Sequence, residues 1–283
     1  MKLGLSLAGG GIKGMAHIGA IKALEEENVQ IDYISGTSSG SIVASLYACG
    51  YSVSEIYDIF KKYAKKIKYF DGKNVVKFVK DLVLYRNIKI TGLNSGDSIY
   101  NLVKEVTYIK GIKLINEVQM PLLIPAVNIK NEQLYVFYSR DIKGLSNKQV
   151  KYINDIELAG AIRASCSYPG VFSPYKYNDE LLVDGGIAEN VPWSELKRVG
   201  ADKVLSITFK NTEGKKCCTN IFEVLDKSFS VMCHELAKHE IYGTDYLIEL
   251  EHKNMGLLDI KYLDELYEIG YNQTKEALKK IKL

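Results

Sequence analysis

Ile31-Asp32-Tyr33-Ile34-Ser35 runs directly into Gly36-Thr37-Ser38-Ser39-Gly40, and Ser41-Ile42-Val43-Ala44-Ser45-Leu46-Tyr47-Ala48 follows without a break. The first five residues read as a buried strand. Ser39 to Ala48 read as a helix, which Gly50 ends. A glycine-flanked serine between strand and helix is the setting of a nucleophile elbow. The sharp turn lifts the Ser38 hydroxyl clear of the backbone, while Gly36 and Gly40 remove side chains that would clash. The helix that follows points its N-terminal dipole at the site, which favours developing negative charge. Gly-x-Ser-x-Gly is a weak pattern alone, and the context on either side is what gives it weight.

Upstream the same grammar recurs. Leu3 to Ala8 reads as a buried strand, Gly9-Gly10-Gly11-Ile12-Lys13-Gly14 as a loop, and Met15 to Glu27 as a helix. Strand, helix, strand, helix predicts an α/β fold: a three-layer sandwich whose mainly parallel central sheet is flanked by helices. Successive glycines let backbone N–H groups converge on an anion. In acyl transfer that anion is the tetrahedral oxyanion. Gly9-x-Gly11-x-x-Gly14 also matches the dinucleotide fingerprint, which wants an acidic residue at the end of the second strand. Here that strand ends in Ser35-Gly36-Thr37-Ser38, and Asp32 lies at its start.

Downstream, Ser52 and Glu55 predict a capping box. The helix behind it has apolar positions at Ile56, Ile59, Phe60, Tyr63 and Ile67. Another helix is expected around Val75–Tyr85. Strands are expected at Leu122–Val127, Leu134–Tyr138, Leu181–Val183, Val204–Phe209 and Tyr246–Leu250, and a helix at Asp155–Arg163. The tail from Leu263 to Ile281 reads as a surface helix weakened by Gly270. Asp184-Gly185-Gly186 follows a strand, so its carboxylate suits a cleft, although an ordinary Asp-Gly turn would look the same.

Composition narrows the classes. The chain has 283 residues, with 37 lysines and arginines against 34 aspartates and glutamates, a net charge of +3. That excess is too small to argue for nucleic acid, and no nucleic-acid motif accompanies it. Cys49, Cys166, Cys217, Cys218 and Cys233 are odd in number with no CxxC spacing, which predicts reduced thiols in a cytoplasmic protein. No signal peptide is visible, and no apolar run approaches the ~20 residues of a membrane span. A single domain is expected over residues 1–283, with a motif-bearing core at about 3–210 and a helical C-terminal extension at about 211–283.

Taken in order, the glycine loop, the elbow and Asp184-Gly185-Gly186 resemble the patatin-like phospholipase family. Met15-Ala16-His17-Ile18-Gly19-Ala20-Ile21-Lys22-Ala23-Leu24-Glu25 is similar to its bacterial branch. Ala161 to Ser165 and Pro169-Gly170-Val171-Phe172 are similar too, as is Asn190-Val191-Pro192. The resemblance covers roughly residues 3 to 210. It implies a serine hydrolase of lipid acyl esters that uses a Ser38–Asp184 dyad rather than a triad. Ser38 would attack the ester carbonyl, Asp184 would take its proton, and the amides of Gly9, Gly10 and Gly11 would hold the oxyanion. It implies no cofactor and no metal. Lys13 stands where many relatives carry arginine, keeping the charge and losing the planar fork. Ala8 stands where relatives often carry a polar residue.

The histidines agree with a dyad. His17 lies in the first helix, where a packed role is the plainer one. His234-Glu235 and His239 have HExxxH spacing, which sets the imidazoles about 140° apart around a helix and prevents an i, i+4 metal pair. Lys61-Lys62-Tyr63-Ala64-Lys65-Lys66-Ile67-Lys68-Tyr69-Phe70, continued by Lys73, Lys77 and Lys80, is basic with interleaved aromatics. It reads either as a solvated lysine face over a packed stripe or as a surface for anionic lipid headgroups. A catalytically silent lipid-binding protein and a nucleotide-binding enzyme are the alternatives. Head group, acyl length and oligomeric state are open.

Overall fold

Leu3–Leu7 forms β1, and all five of its residues are buried. A strand with no polar face needs cover on both sides, as parallel strands at the centre of α/β sheets have. The computed structural model describes residues 1–66, 91–140, 147–212, 221–253, 255–256 and 259–281. The helix expected at 75–85, Cys217 and Cys218, and the lysine-rich stretch from residue 67 onward lie outside the described residues.

β1 pairs in parallel with β2 (Tyr33–Gly36) on one side and with β10 (Lys203–Asn211) on the other. β11 (Tyr246–His252) adds in parallel to β10. Beyond β2 lie β4 (Leu122–Asn128), β5 (Gln133–Tyr138) and β6 (Val150–Ile153), giving the order β11-β10-β1-β2-β4-β5-β6. The parallel pattern breaks at β4, which pairs antiparallel with both β5 and β9 (Glu180–Asp184). β8 (Tyr175–Tyr177) completes a hairpin with β9, and the short β3 (Gly92–Asn94) and β7 (Gly170–Phe172) form a separate pair.

Eight α-helices are described: α1 (Gly14–Glu26), α2 (Ser39–Ala48), α3 (Val53–Lys66), α4 (Asp97–Ile109), α5 (Leu158–Ser165), α6 (Trp193–Arg198), α7 (Ile221–Glu240) and α8 (Leu263–Leu278). Strand alternation divides them between the two faces. Leu3, Leu5 and Leu7 enter the large core that α1, α2 and α5 share. Gly4 faces the other way, where a Cβ would sit 3.1 Å from Leu196 and 3.2 Å from Ala201. On that side α6 covers a smaller core that includes Leu123, Val136, Leu196 and Val204. The three-layer arrangement with a mainly parallel sheet is therefore as the sequence predicts.

The capping box at the start of α3 forms as expected: Glu55 N–H donates to Ser52 Oγ at 3.3 Å, and Ser52 N–H donates to Glu55 Oε2 at 2.8 Å. Tyr246–His252 is a strand, where the sequence reading expects one at Tyr246–Leu250, so β11 lies within the segment after 210. One feature departs from the sequence reading. Gly270 is no weak point of a surface helix: it is the place where α8 crosses α1. A Cβ there would overlap Ala16 O, and a Cβ at Gly19 would overlap Tyr267 O. The two glycines bring the backbones together, and Leu263, Leu266 and Thr274 are buried along the same seam.

Candidate active site

The chain turns at Ser38 with φ 53° and ψ −123°. Positive φ is uncommon outside glycine, and holding it costs about 1–3 kcal/mol. Several contacts enforce it. Thr37 N–H donates to Leu7 O at 3.1 Å, and Thr37 Oγ1 donates to Glu189 O at 2.9 Å. Ser41 Oγ donates to Ser38 O at 2.6 Å, and Ser38 N–H donates to Ser165 Oγ at 3.0 Å. The flanking glycines are sterically required: a Cβ at Gly36 would overlap Gly40 O, and one at Gly40 would lie 2.5 Å from Leu7 O.

Asp184 arrives from the end of β9, anchored by its pairing with Ala126 and by its N–H donating to Ser167 O at 3.1 Å. Gly185 passes so close to Pro125 that a Cβ would lie 2.5 Å from its carbonyl oxygen. Asp184 Oδ1 accepts the Gly186 N–H at 2.9 Å. Oδ2 is buried and has no hydrogen-bond partner among the described residues. Burial pushes the carboxyl up to about 6, against the opposing pull of the Ser38 side chain and the Gly186 N–H. The Ser38 hydroxyl thus favours the charged form of the carboxyl, while Oδ2 makes no hydrogen bond among the described residues. Sites without substrate commonly look like this.

The glycine loop borders the same space, and its amides are partly engaged. Gly9 N–H is shared between Asn190 Oδ1 at 3.1 Å and Asn190 O at 3.4 Å. Gly10 N–H donates to Ser39 Oγ at 3.2 Å. Gly11 adopts φ 61°, and a Cβ at Gly14 would lie 3.0 Å from Ser39 Cβ. The loop and the elbow are thus packed as one unit. Lys13 extends over the Phe209 ring at 5.7 Å.

Among the described residues no hydrogen bond joins a histidine to Ser38 or Asp184, although His234 borders the same cleft from α7. His17 is buried and donates Nε2–H to Ala8 O at 2.8 Å, with its ring 4.6 Å from that of Phe209. Desolvation pushes it down to about 4, so it is neutral and its role is to hold the start of the glycine loop. His252, buried near Lys13, is pushed down to about 4 for the same chief reason. His239 is exposed on α7. Among the described residues no group of three His, Cys, Asp or Glu side chains is placed to hold a metal ion.

Ser38, Asp184 and the three glycines open on a cleft of about 160 Å³. Ile12, Phe60, Tyr63, Val171, Phe172 and Phe209 supply its apolar walls. Ser230, Cys233, His234 and Ala237 close one side from α7. A nucleophilic hydroxyl, a buried carboxyl with one unengaged oxygen and an apolar trough suit acyl transfer from a hydrocarbon chain.

Three contributors were not assigned by sequence reasoning. Ser165 lies in a segment noticed only as a pattern, and nothing in its spacing shows that it meets Ser38. Ser39 is visible as the neighbour of the central serine, but its bond to Gly10 is a tertiary fact. The inner face of α7 follows a stretch outside the described residues, and its cleft-lining side is mixed in polarity.

The model of the family described as patatin-like phospholipase matches residues 5–197. Lysophospholipase NTE1 of Meyerozyma guilliermondii is 31% identical over 209 residues, covering 72% of this chain and 12% of that protein. Lysophospholipase nte1 of Emericella nidulans is 25% identical over 306 residues, covering 99% of this chain and 18% of that protein. The chain thus spans less than a fifth of the length of these curated relatives. Among solved structures, VipD from Legionella pneumophila superposes with a TM-score of 0.54 at 15% identity, over 99% of this chain and 67% of that one. Full-length ExoU from Pseudomonas aeruginosa, in complex with SpcU, gives 0.50 at 16% identity, over 99% and 52%. At such identities the likeness is one of fold.

Proposed function

This chain belongs to the patatin-like phospholipase family, whose model matches most of it, and from that membership we propose that it hydrolyses carboxylic esters of lipids through Ser38 and Asp184. The observation that carries the reading is the buried Asp184 carboxyl, with Oδ2 unengaged beside a serine held at positive φ. Ser38 Oγ attacks the ester carbonyl as its proton passes to Asp184. The carbonyl oxygen becomes an oxyanion, received by backbone amides of the Gly9–Gly11 loop and by the positive end of α2. Collapse of the adduct expels the alcohol, which takes the proton back from Asp184 and leaves an acyl ester on Ser38. Water, deprotonated by Asp184, attacks that ester, and the fatty acid departs as Ser38 regains its proton.

The apolar trough fits an acyl chain. The names of the relatives support a lysophospholipid as the first substrate to try. Contact with an anionic lipid surface belongs to the same proposal. Lys62 and Lys65 on α3 are exposed, whereas Lys61 is committed to Asp264 at 2.7 Å. No helix among the described residues is long and apolar enough to cross a membrane.

The test is hydrolysis of a lysophospholipid panel, with released fatty acid measured by mass spectrometry. Wild-type turnover with loss in Ser38→Ala and in Asp184→Asn, both still folded by circular dichroism, is the expected result. Full turnover in Ser38→Ala would overturn the assignment.

A further inference from the structure

Gly9 N–H depends on Asn190 for both of its hydrogen bonds, and Asn190 is itself seated from outside the segment that matches the family. Glu240, the last residue of α7, turns its carboxyl onto this turn. Its Oε2 accepts the N–H of Asn190 at 3.0 Å and of Val191 at 3.0 Å, and Oε1 stands 3.2 Å from the same Asn190 nitrogen. The backbone carbonyl of Glu240 also accepts the Trp193 Nε1–H. Both its ends are therefore fastened to residues 190–193.

We propose that Glu240 is a positioning residue for the glycine loop, acting through Asn190. The connection is continuous. Glu240 fixes the Asn190 backbone, and Asn190 presents its carbonyl and Oδ1 to Gly9. Gly9 packs against the nucleophile, since a Cβ there would lie 2.8 Å from Asn190 Oδ1 and 3.2 Å from Ser38 Cβ. Asn190 Oδ1 also borders the Asp184 side, 3.2 Å from where a Gly186 Cβ would be. One side chain thus touches the loops that carry the oxyanion donors and the base. Displacing it moves donors whose placement matters in the transition state more than in the ground state. The proposal rests on the acyl-hydrolase reading for its kinetic consequence and on geometry alone for its structural one.

The experiment compares wild type, Glu240→Gln and Glu240→Ala by steady-state hydrolysis of a soluble ester and by amide hydrogen exchange with mass spectrometry. Glu240→Ala is expected to lower kcat about tenfold or more with KM within about twofold, the signature of a lost transition-state interaction. Glu240→Gln keeps a carbonyl oxygen for the two N–H groups and should recover most of the rate. In Glu240→Ala, peptides covering 5–16 and 186–193 should exchange faster while 122–138 stay unchanged. An unchanged kcat, or acceleration of exchange spread evenly over the molecule, would overturn the proposal. If wild type hydrolyses no ester, the functional reading fails, while the exchange pattern still decides whether Glu240 holds the loop.

Discussion

Ser38 N–H donates to Ser165 Oγ at 3.0 Å, so the apex of the elbow is held by the last residue of α5. The elbow needs such a tie, because a positive-φ serine persists only where its surroundings over-determine it. α5 thereby serves both members of the proposed dyad: Ser165 meets Ser38, and Ser167, just past the helix, accepts the Asp184 N–H at 3.1 Å.

Ser165→Ala should leave the Ser38 amide without its partner. The loss is about 1–3 kcal/mol of stability, together with slower labelling of Ser38 by a fluorophosphonate. Urea unfolding and the labelling rate measure the two effects. Unchanged values in both would remove Ser165 from the support of the elbow.

The Asp184 carboxyl, pushed up to about 6 by burial, must be ionised to accept the Ser38 proton. kcat/KM should therefore rise with pH through an apparent pKa near 6 and level off above it. Profiles from pH 4.5 to 8.5 on a soluble ester check this. A flat profile across that range would exclude Asp184 as the base.

Glu189 is buried, with Oε2 lacking a partner, and is pushed up to about 8 by desolvation and by the neighbouring carboxylates of Glu195 and Glu240. Its folded value lies above the unfolded one, so its contribution to stability is full below pH ~4.5 and is lost as pH climbs through about 8. Glu189→Gln cannot ionise. Relative to wild type, the variant should gain on the order of 2 kcal/mol at pH 9 compared with pH 5. Chemical denaturation at the two pH values reads the difference.

Gly270→Ala should destabilise by about 2 kcal/mol or more, because its Cβ would overlap Ala16 O at the α1–α8 crossing. Gly50→Ala is the control. There φ is +77° but a Cβ meets nothing within 4 Å, so only the backbone penalty of about 1 kcal/mol applies. A Gly270→Ala variant no less stable than Gly50→Ala would show that the helices separate easily.

The elbow, the glycine loop and the strand before Asp184 are legible in sequence because each is local. A strand ends, small residues permit a turn and a helix begins, all within a dozen positions. The capping box at Ser52 and Glu55 is legible for the same reason. The antiparallel break at β4 is not, since β4 reads as one more apolar run and only its partners β5 and β9 reveal its direction. Gly270 misleads because propensity counts a helix glycine as a defect, whereas a crossing helix makes it the one residue that fits. The dependence of Gly9 on Asn190 spans 181 positions and has no periodic trace.

The seam between α1 and α8 has a consequence for anyone who would transplant this catalytic unit. The segment that matches the family, residues 5–197, omits both α8 and β10. A gene cut there would leave β1 as a bare sheet edge, open to pairing with other chains. It would also uncover the furrow at Ala16 and Gly19 on the helix that begins at the glycine loop. Grafting between relatives should therefore carry the elements after residue 197 along with the motifs, since the family model ends well before the mechanical support does.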